Sequence, residues 1–276
     1  MIVGGVEIKV DIRPLTAVLP HEETVPELTS KLSKAILADG VQRDPIIVDG
    51  STGTVLDGMH RLSSLREIGA QNVVCHLVDY SSIGVEMRRW VRVLRRTREG
   101  VLLPLLESVG IDRVVPMEEA LGLVERGGDY VAILTKEKCY VPPEGLRNIA
   151  ECYDLIKEID GRSRKLGWEE DFVDEESVHV ELSSPSNVVV FAPKLSKQDV
   201  LQAARKRRLL PHKTTMHIVD LRPLGVDYPL SELRQERPSK RALIARLTTS
   251  RASIMNPPYT HLGRTYNERV MVLEKD

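Results

Sequence analysis

Apolar residues in the first part of the chain follow two spacings, one typical of strands and one typical of helices. An alternating pattern predicts strands, and positions three and four apart predict helices. The predicted strands are residues 6–12, 45–48, 54–56 and 73–78. The predicted helices are residues 28–36, before a stop at Gly40, and residues 61–68, before a stop at Gly69. Because residues 49–53 have the composition of a hairpin turn, we expect a small α+β unit around a sheet.

The rest of the chain has a less regular pattern. We expect helices over most of residues 81–126 and over residues 146–159 and 196–208. Strands are expected at residues 130–134, 138–141, 178–182, 188–191 and 269–273. Residues 162–176 are polar and predict a connector. The chain is therefore expected to divide into residues 1–85, a second lobe over residues 86–225 and an Arg- and Pro-rich extension over residues 226–276.

The composition is that of an ordinary globular protein. The 276 residues are 42% hydrophobic and 29% charged with a net charge of −1, which gives no overall attraction to nucleic acid or to a membrane. Apolar runs fall short of the roughly 20 residues of a membrane helix, and no signal-peptide pattern is visible, so we expect a cytoplasmic protein. Three widely spaced cysteines predict buried thiols rather than a disulfide framework. Only five Asn and five Gln occur, which fits a thermophile.

The segment Asp57–Arg61, with the sequence Asp-Gly-Met-His-Arg, concentrates more chemistry than any other stretch. It follows a predicted strand and leads into a predicted helix, so its glycine turn would present the N–H groups of a helix N-terminus. Those groups and the helix dipole attract anions, and His60 and Arg61 add donors that suit phosphate. The alternative is an ordinary helix start capped by Asp57.

Two further loops carry candidate chemistry. Glu22 stands in a His-Glu-Glu loop before the first helix, where a carboxylate can act as a general base or only favour the positive end of the helix. A second loop contains one cation, two hydroxyls and an imidazole, which suit a phosphate but also fit a linker; its residues are Lys213, Thr214, Thr215 and His217.

Two other motifs bear on nucleotide and nucleic-acid binding. The chain has neither a P-loop nor a kinase glycine loop, so a nucleotide enzyme here needs another scaffold. The basic run Arg205–Arg208 ends a predicted helix. We interpret it as a solvated helix end rather than a nucleic-acid patch, because cations complement the C-terminal end of the helix dipole.

Together these motifs resemble the ParB/sulfiredoxin superfamily and, within it, the archaeal free L-serine kinases. The matching pieces are Pro20–Glu22, Val55–Arg61, Leu77–Tyr80, Trp90 and Pro211–His217. The resemblance covers roughly residues 1–235, and the chain from about Pro238 has no counterpart in it. It implies an α+β protein: a ParB/sulfiredoxin-like nucleotide-binding domain over residues 1–85, and a second α/β lobe that closes over the site and contributes the Lys-Thr-Thr-x-His loop.

The resemblance also implies an activity, the phosphorylation of free L-serine to O-phospho-L-serine with ADP or ATP as donor and Mg²⁺ as cofactor. The product would serve cysteine or serine metabolism. Glu22 matches the general base that takes the proton of the serine hydroxyl. The nucleotide and phosphate side matches Asp57, Gly58, Met59, His60 and Arg61, with Asp57 also the expected metal ligand. The side that holds serine and the transferred phosphate matches Trp90, Lys213, Thr214, Thr215 and His217.

Met59 separates the chain from the sulfiredoxins, which carry a nucleophilic cysteine at this position. The kinases commonly have His there, so the side-chain contact to phosphate is lost, while the backbone N–H of Met59 remains. DNA partition is not expected, because no basic helix-turn-helix is visible. The expected partners are free L-serine and nucleotide, with no nucleic acid and no membrane, and the oligomeric state stays open.

Two other functions remain open at this point. One is a non-catalytic, ParB-like nucleotide-binding regulator that contacts DNA through Arg205–Arg208. The other is a kinase of a different small hydroxyl compound. Steep salt dependence of DNA binding would favour the regulator, whereas phosphorylation of threonine or a polyol would favour the second kinase.

Overall fold

Short helices and strands alternate along the part of the chain that the structure describes. The computed structural model describes residues 2–3, 5–95, 97, 99–127 and 129–274. The helices are α1 (Pro26–Asp39), α2 (Met59–Glu67), α3 (Glu99–Ser108), α4 (Met117–Gly127), α5 (Ile149–Lys165), α6 (Val178–Glu181), α7 (Lys197–Lys206), α8 (Leu230–Leu233) and α9 (Lys240–Thr249), with 3-10 turns at Leu15–Ala17 and Glu175–Ser177. In this part of the chain, no helix is both long enough and apolar enough to cross a bilayer.

The strands are short and numerous. Those of the first half are β1 (Ile2–Val3), β2 (Val6–Glu7), β3 (Lys9–Pro14), β4 (Val41–Gln42), β5 (Ile46–Asp49), β6 (Val55–Asp57), β7 (Asn72–Val78), β8 (Val85–Arg89), β9 (Val91–Arg95), β10 (Arg113–Val115), β11 (Ala132–Leu134) and β12 (Cys139–Val141). Those of the second half are β13 (Glu169–Val173), β14 (Val188–Phe191), β15 (Thr215–Val219), β16 (Arg222–Leu224), β17 (Tyr228–Pro229), β18 (Arg251–Met255), β19 (Tyr259–His261), β20 (Arg264–Tyr266) and β21 (Val270–Glu274).

The chain divides into two compact units. The first unit contains residues 1–87, 199–212 and 217–276, and the second contains residues 88–198 and 213–216. The first boundary lies two residues from the predicted one. The predicted extension over residues 226–276 belongs to the first unit, and of the predicted second lobe only part forms the second unit.

The first unit is built on a four-stranded mixed sheet in the order β3-β7-β5-β6. β5 runs parallel to β7, while the outer pairs are antiparallel. The hairpin between β5 and β6 is the one predicted. Asp49 fixes its turn, because the carboxylate accepts hydrogen bonds from the Ser51 hydroxyl and from both the N–H and the hydroxyl of Thr52. α1 and α2 pack against each other.

The C-terminal residues complete the core of the first unit. Leu221, Tyr228, Leu243 and Met271 are buried in one cluster with apolar residues of the N-terminal sheet and helices. β21 pairs parallel to β16 and antiparallel to β18, which makes a second, three-stranded sheet. The prediction of an extension is therefore corrected: the many Arg and Pro residues of the tail lie between apolar positions that a folded core buries.

The second unit has a six-stranded antiparallel sheet in the order β10-β12-β11-β14-β9-β13. α4 packs on β11 and β12, and α5 contacts β13. Its core contains Val93, Ala132, Val141 and Val189. α5 begins where Asn148 caps it and runs to Lys165, beyond the predicted end at residue 159.

Three stretches between residues 81 and 182 differ from their predicted secondary structure. Residues 81–126, predicted as mostly helical, begin with β8 and β9. The polar character of these strands is misleading, because Arg89 and Arg92 are buried and neutralised by acidic partners. Residues 178–182, predicted as a strand, form α6, and residues 169–173 of the predicted connector form β13.

The C-terminal contribution to the core can be tested at two neighbouring residues of α9. Leu243 is 2% exposed and Ile244 is 60% exposed. We expect Leu243→Ala to lower the free energy of unfolding by about 2–5 kcal/mol, because it leaves a cavity in the core. Ile244→Ala should change it by less than about 0.5 kcal/mol. Urea unfolding of both variants measures the difference, and equal effects would contradict the packing of α9 described here.

Candidate functional site

The Asp-Gly-Met-His-Arg segment is a strand-to-helix turn in the first unit. β6 ends at Asp57, Gly58 precedes the helix with a φ of +100°, and α2 begins at Met59. A Cβ at Gly58 would lie 2.6 Å from Cγ2 of Ile46, so both the backbone conformation and the packing require glycine. The N-cap residue of α2 is Gly58, which has no side chain to cap the helix. The helix start capped by Asp57 is therefore not what forms, and the first-turn N–H groups follow the glycine directly.

Asp57 instead accepts hydrogen bonds from two arginines that are distant in sequence. Its Oδ2 lies 2.6 Å from Nη1 of Arg222 and 3.2 Å from Nη1 of Arg264. Burial alone would raise the pKa of Asp57, but the charges of Arg264, Arg222 and Arg61 outweigh it and hold that pKa well below its usual range. Asp57 is thus ionised at neutral pH and binds the guanidinium groups of Arg222 and Arg264 at the turn.

Arg222 is the centre of this ion-pair cluster. It is buried, and its Nε also donates to the carboxylate of Glu268. Its Nη2 donates to the backbone carbonyl of His217 at 3.3 Å. One guanidinium therefore joins the turn after β6 to β15 and to the loop before β21.

His60 and Arg61 make backbone contacts within the first unit. Nε2 of His60 accepts the N–H of Val25 at 3.0 Å, which satisfies a donor at the start of α1, and the His60 ring lies edge-on to that of His212. Nη1 of Arg61 donates to the carbonyls of Pro45 at 2.5 Å and Asp44 at 3.2 Å. Phosphate binding at this turn would therefore draw on backbone N–H groups and on the remaining donors of Arg61 rather than on Nε2 of His60.

Glu22, the predicted general base, is held by backbone pairing and by a histidine. His21 accepts the N–H of Leu210 at its carbonyl, and the carbonyl of Leu210 accepts the N–H of Glu23. Glu22 is buried, with its side chain 9% exposed, and its Oε1 lies 3.5 Å from Nε2 of His21. Nδ1 of His21 donates to the carbonyl of Val55 at 2.6 Å, which orients the ring.

His217 and Tyr80 extend the same cluster. Nε2 of His217 and the hydroxyl of Tyr80 share a hydrogen bond of 2.7 Å. Burial, together with the neighbouring His21, lowers the pKa of His217 to about 3, although Glu22 and Asp57 act in the opposite direction. Burial also raises the pKa of Tyr80. At neutral pH the imidazole and the phenol are both uncharged. The carboxylates of Glu22 and Asp57 are near enough to influence the pKa of His217.

The remaining predicted site residues lie in the second unit. Nζ of Lys213 is 4.3 Å from the centre of the Trp90 ring, a cation–π contact. Lys213 has a φ of +55°, and Thr214 and Thr215 are buried. The structure thus pairs Lys213 with Trp90, as members of one side of the predicted site.

Sequence reasoning missed three residues that shape the site in the first unit. Tyr80 lay within a matching motif, but nothing in its spacing indicated a partner at position 217. Arg222 and Arg264 stand 165 and 207 residues after Asp57. Only the folded C-terminal sheet brings them to the turn, and the signal available in the sequence was the high arginine content of the tail.

The described residues do not fit a metal ion held by the protein. Among them no group of three or more His, Cys, Asp or Glu side chains is placed to bind one. Asp57, the predicted ligand, accepts from two guanidiniums at the same oxygen, and their charge repels a divalent cation. The assignment of Asp57 as a metal ligand therefore stays a prediction.

Several of the known proteins that this chain resembles are L-serine kinases. An ATP-dependent L-serine kinase from Staphylothermus marinus is 25% identical over 78% of this chain and 88% of its own length. An ADP-dependent L-serine kinase from Thermococcus kodakarensis is 25% identical with the same coverage. A free serine kinase in complex with ADP superimposes with a TM-score of 0.69 at 23% identity, over 81% of this chain and 93% of that one. The chain is similar to L-serine kinases over most of its length.

The resemblance inferred from the sequence is confirmed by these matches, and so is the α+β fold class. A ParB-like protein from Sulfolobus acidocaldarius is 31% identical over 75 residues, which are 27% of this chain and 37% of that protein. It supports the superfamily assignment over a single stretch. No family model matches the chain.

The depressed pKa of Asp57 predicts a dependence of stability on pH. The folded-state pKa lies below the unfolded value of about 3.9, so the carboxylate contributes stability above that pH, and the contribution is lost as the pH falls below it. We expect Asp57→Asn to lower the free energy of unfolding at pH 7 and to flatten its decline between pH 5 and pH 3. Urea unfolding across this range measures both effects. Asp112→Asn, at an exposed site, is the control, and a wild-type pH profile in Asp57→Asn would contradict the ion-pair cluster.

Proposed function

We propose that this protein is a small-molecule kinase that transfers a phosphoryl group from an adenine nucleotide to the hydroxyl of free L-serine. The observation that carries the proposal is the joint placement of Glu22 and the Asp57–Arg61 turn in one unit, where both carboxylates act on His217. It occurs in a chain similar to L-serine kinases over most of its length. A carboxylate for the acceptor and an anion-binding helix start for the donor are the parts that such a transfer needs.

In the proposed reaction, the serine hydroxyl oxygen attacks the terminal phosphorus of the donor. A new O–P bond forms while the bond from that phosphorus to the bridging oxygen breaks, and the shortened nucleotide leaves with the bonding electron pair. The hydroxyl proton moves to the carboxylate of Glu22. Since phosphoryl transfer has a loose transition state, the protein contributes mainly by positioning the reactants and stabilising their charge.

The donor side of the proposal consists of the turn and its guanidiniums. The N–H groups at the start of α2 would face the donor phosphates, and Arg61 would add a guanidinium. Asp57 orients this side through its arginine partners rather than by touching the donor. The neutral pair of His217 and Tyr80 keeps an additional positive charge away from Glu22 and leaves that carboxylate able to accept a proton.

For the acceptor side we keep the residues that the sequence predicted except His217, which pairs with Tyr80 in the first unit. Trp90, Lys213, Thr214 and Thr215 would hold serine and the transferred phosphate. Lys213 carries the positive charge of this group, and its contact with Trp90 fixes where the ammonium lies. Because no protein-built metal site fits the described residues, any Mg²⁺ would arrive with the nucleotide as part of the substrate, and no step of the proposal depends on a resident ion.

Substitution of Glu22 tests the acceptor chemistry. We expect Glu22→Gln to lower kcat by about two to four orders of magnitude, as is typical of losing a positioned base, while nucleotide affinity is retained. Glu23→Gln, at the next residue, is the matched control and should keep near-normal turnover. The measurement is O-phosphoserine formation, with nucleotide binding followed by calorimetry. Near-normal turnover of Glu22→Gln would remove Glu22 as the base.

Substitution of Arg61 tests the donor side. Arg61→Ala should weaken nucleotide binding by about tenfold or more, because a charge-assisted contact to phosphate is lost. Arg66→Ala is the control on the same helix, since Arg66 donates to the carbonyls of Leu15 and Val18 instead. Unchanged nucleotide affinity in Arg61→Ala would exclude the proposed phosphate contact.

A matrix of donors and acceptors separates the proposed kinase from the other functions left open by the sequence. Purified protein is assayed with ADP and with ATP against serine, threonine and small polyols. We expect phosphorylation of serine above the other acceptors, and the donor that supports it identifies the nucleotide. Phosphorylation of another acceptor alone would change the substrate, and salt-sensitive DNA binding without phosphorylation would indicate the regulator.

A further inference from the structure

A cavity of about 570 Å³ lies in the first unit, where Arg61 of the Asp57–Arg61 turn lines it. This volume is in the range of small-molecule sites. The second half of α1 and Arg61 form part of its wall, and the hairpin of β19 and β20 forms another part. The hairpin contributes His261, Arg264 and Tyr266. Part of the cavity wall therefore comes from residues that lie beyond the part of the chain on which the kinase resemblance rests.

Arg264 is held at this wall by two contacts. Its guanidinium lies 4.8 Å from the centre of the Tyr266 ring, which is buried and fixes the plane of the group. Its Nη1 lies 3.2 Å from Oδ2 of Asp57. The side chain is still 46% exposed, and a guanidinium has five N–H donors in a planar fork. Arg264 is therefore oriented by the fold while part of its surface remains accessible to a ligand.

Arg222 gives Asp57 a second charged partner besides Arg264. The contact from Arg222 to Asp57 is the shorter of the two, and Arg222 is also fixed by Glu268. If Arg264 turns toward an anion in the cavity, Asp57 keeps a charged partner, so no carboxylate is left unpaired. Arg264 can therefore bind a ligand while Asp57 keeps its ion pair with Arg222.

We propose that Arg264 is a donor-binding residue, which together with Arg61 contacts the phosphates of the nucleotide in this cavity. The inference rests on the proposed kinase function and adds to it a residue from the C-terminal hairpin. Both guanidiniums line the same cavity, and Arg61 lies in the first turn of α2. Two such groups offer a bidentate match to a di- or triphosphate chain that a single arginine does not.

Calorimetric titration of the full chain with ADP and ATP tests the inference. Arg264→Ala should raise the Kd of the nucleotide by about 10- to 100-fold, the loss expected for hydrogen bonds to a charged group. Arg264→Gln keeps a donor for Asp57 but removes the charge, so it should show a similar loss in a protein with an intact local structure. Arg251→Ala, on the exposed face of β18, is the matched control and should bind as the wild type does.

Steady-state kinetics give a second readout. The donor KM of Arg264→Gln should rise while the serine KM stays unchanged. If Arg264→Gln binds nucleotide as tightly as Arg251→Ala while Arg61→Ala binds weakly, Arg264 is only a structural partner of Asp57 and the inference is overturned with the kinase proposal intact. If the wild type neither binds a nucleotide nor phosphorylates serine, both proposals are overturned.

Discussion

The buried guanidinium of Arg222 is the interaction on which the arrangement of the first unit depends. It is 3% exposed, and it joins Asp57, Glu268 and the carbonyl of His217. Removing one partner from such a buried network typically costs about 3–5 kcal/mol, because a charge is left unpaired away from water. The three partners come from different parts of the fold, namely the turn after β6, β15 and the loop before β21. A single side chain thereby fixes the N-terminal turn and the C-terminal sheet relative to each other.

The electrostatics of the cluster divide into a charged part and a neutral part. Around Asp57 the charges are permanent, since three arginines hold its pKa low. Around Glu22 the neighbours include His21, His217 and Tyr80, and burial keeps the last two uncharged at neutral pH. A proton acceptor is useful only if no strong cation locks it in the ionised form. The separation of the two environments is thus consistent with different tasks for the two carboxylates.

The sequence predicted those parts of the protein that depend on local chemistry. The hairpin at Asp49, the helix stop at Gly40 and the glycine turn at Gly58 follow from turn residues and apolar spacing, and each formed where expected. Prediction failed where distant charges meet. The buried arginines of β8 and β9 were predicted to lie in a mostly helical stretch, because their partners Glu125, Glu175 and Asp160 are far away in sequence. For the same reason Arg222 and Arg264 were invisible as partners of Asp57, whereas Glu22 and the turn stood out by their motifs.

The order in which the two units occur along the chain has a consequence for how the protein is made. Nearly all of the second unit, residues 88–198, is synthesised as one continuous piece between segments of the first. The first unit, by contrast, buries Ile12 and Val74 in the same core as Met271 and Leu273. Since chains emerge from the ribosome N-terminal end first, the second unit can fold during translation. The four-stranded sheet of the first unit therefore keeps part of its apolar face open until β21, a strand of the three-stranded sheet, has been synthesised, so it stays exposed to aggregation for longer than the second unit does.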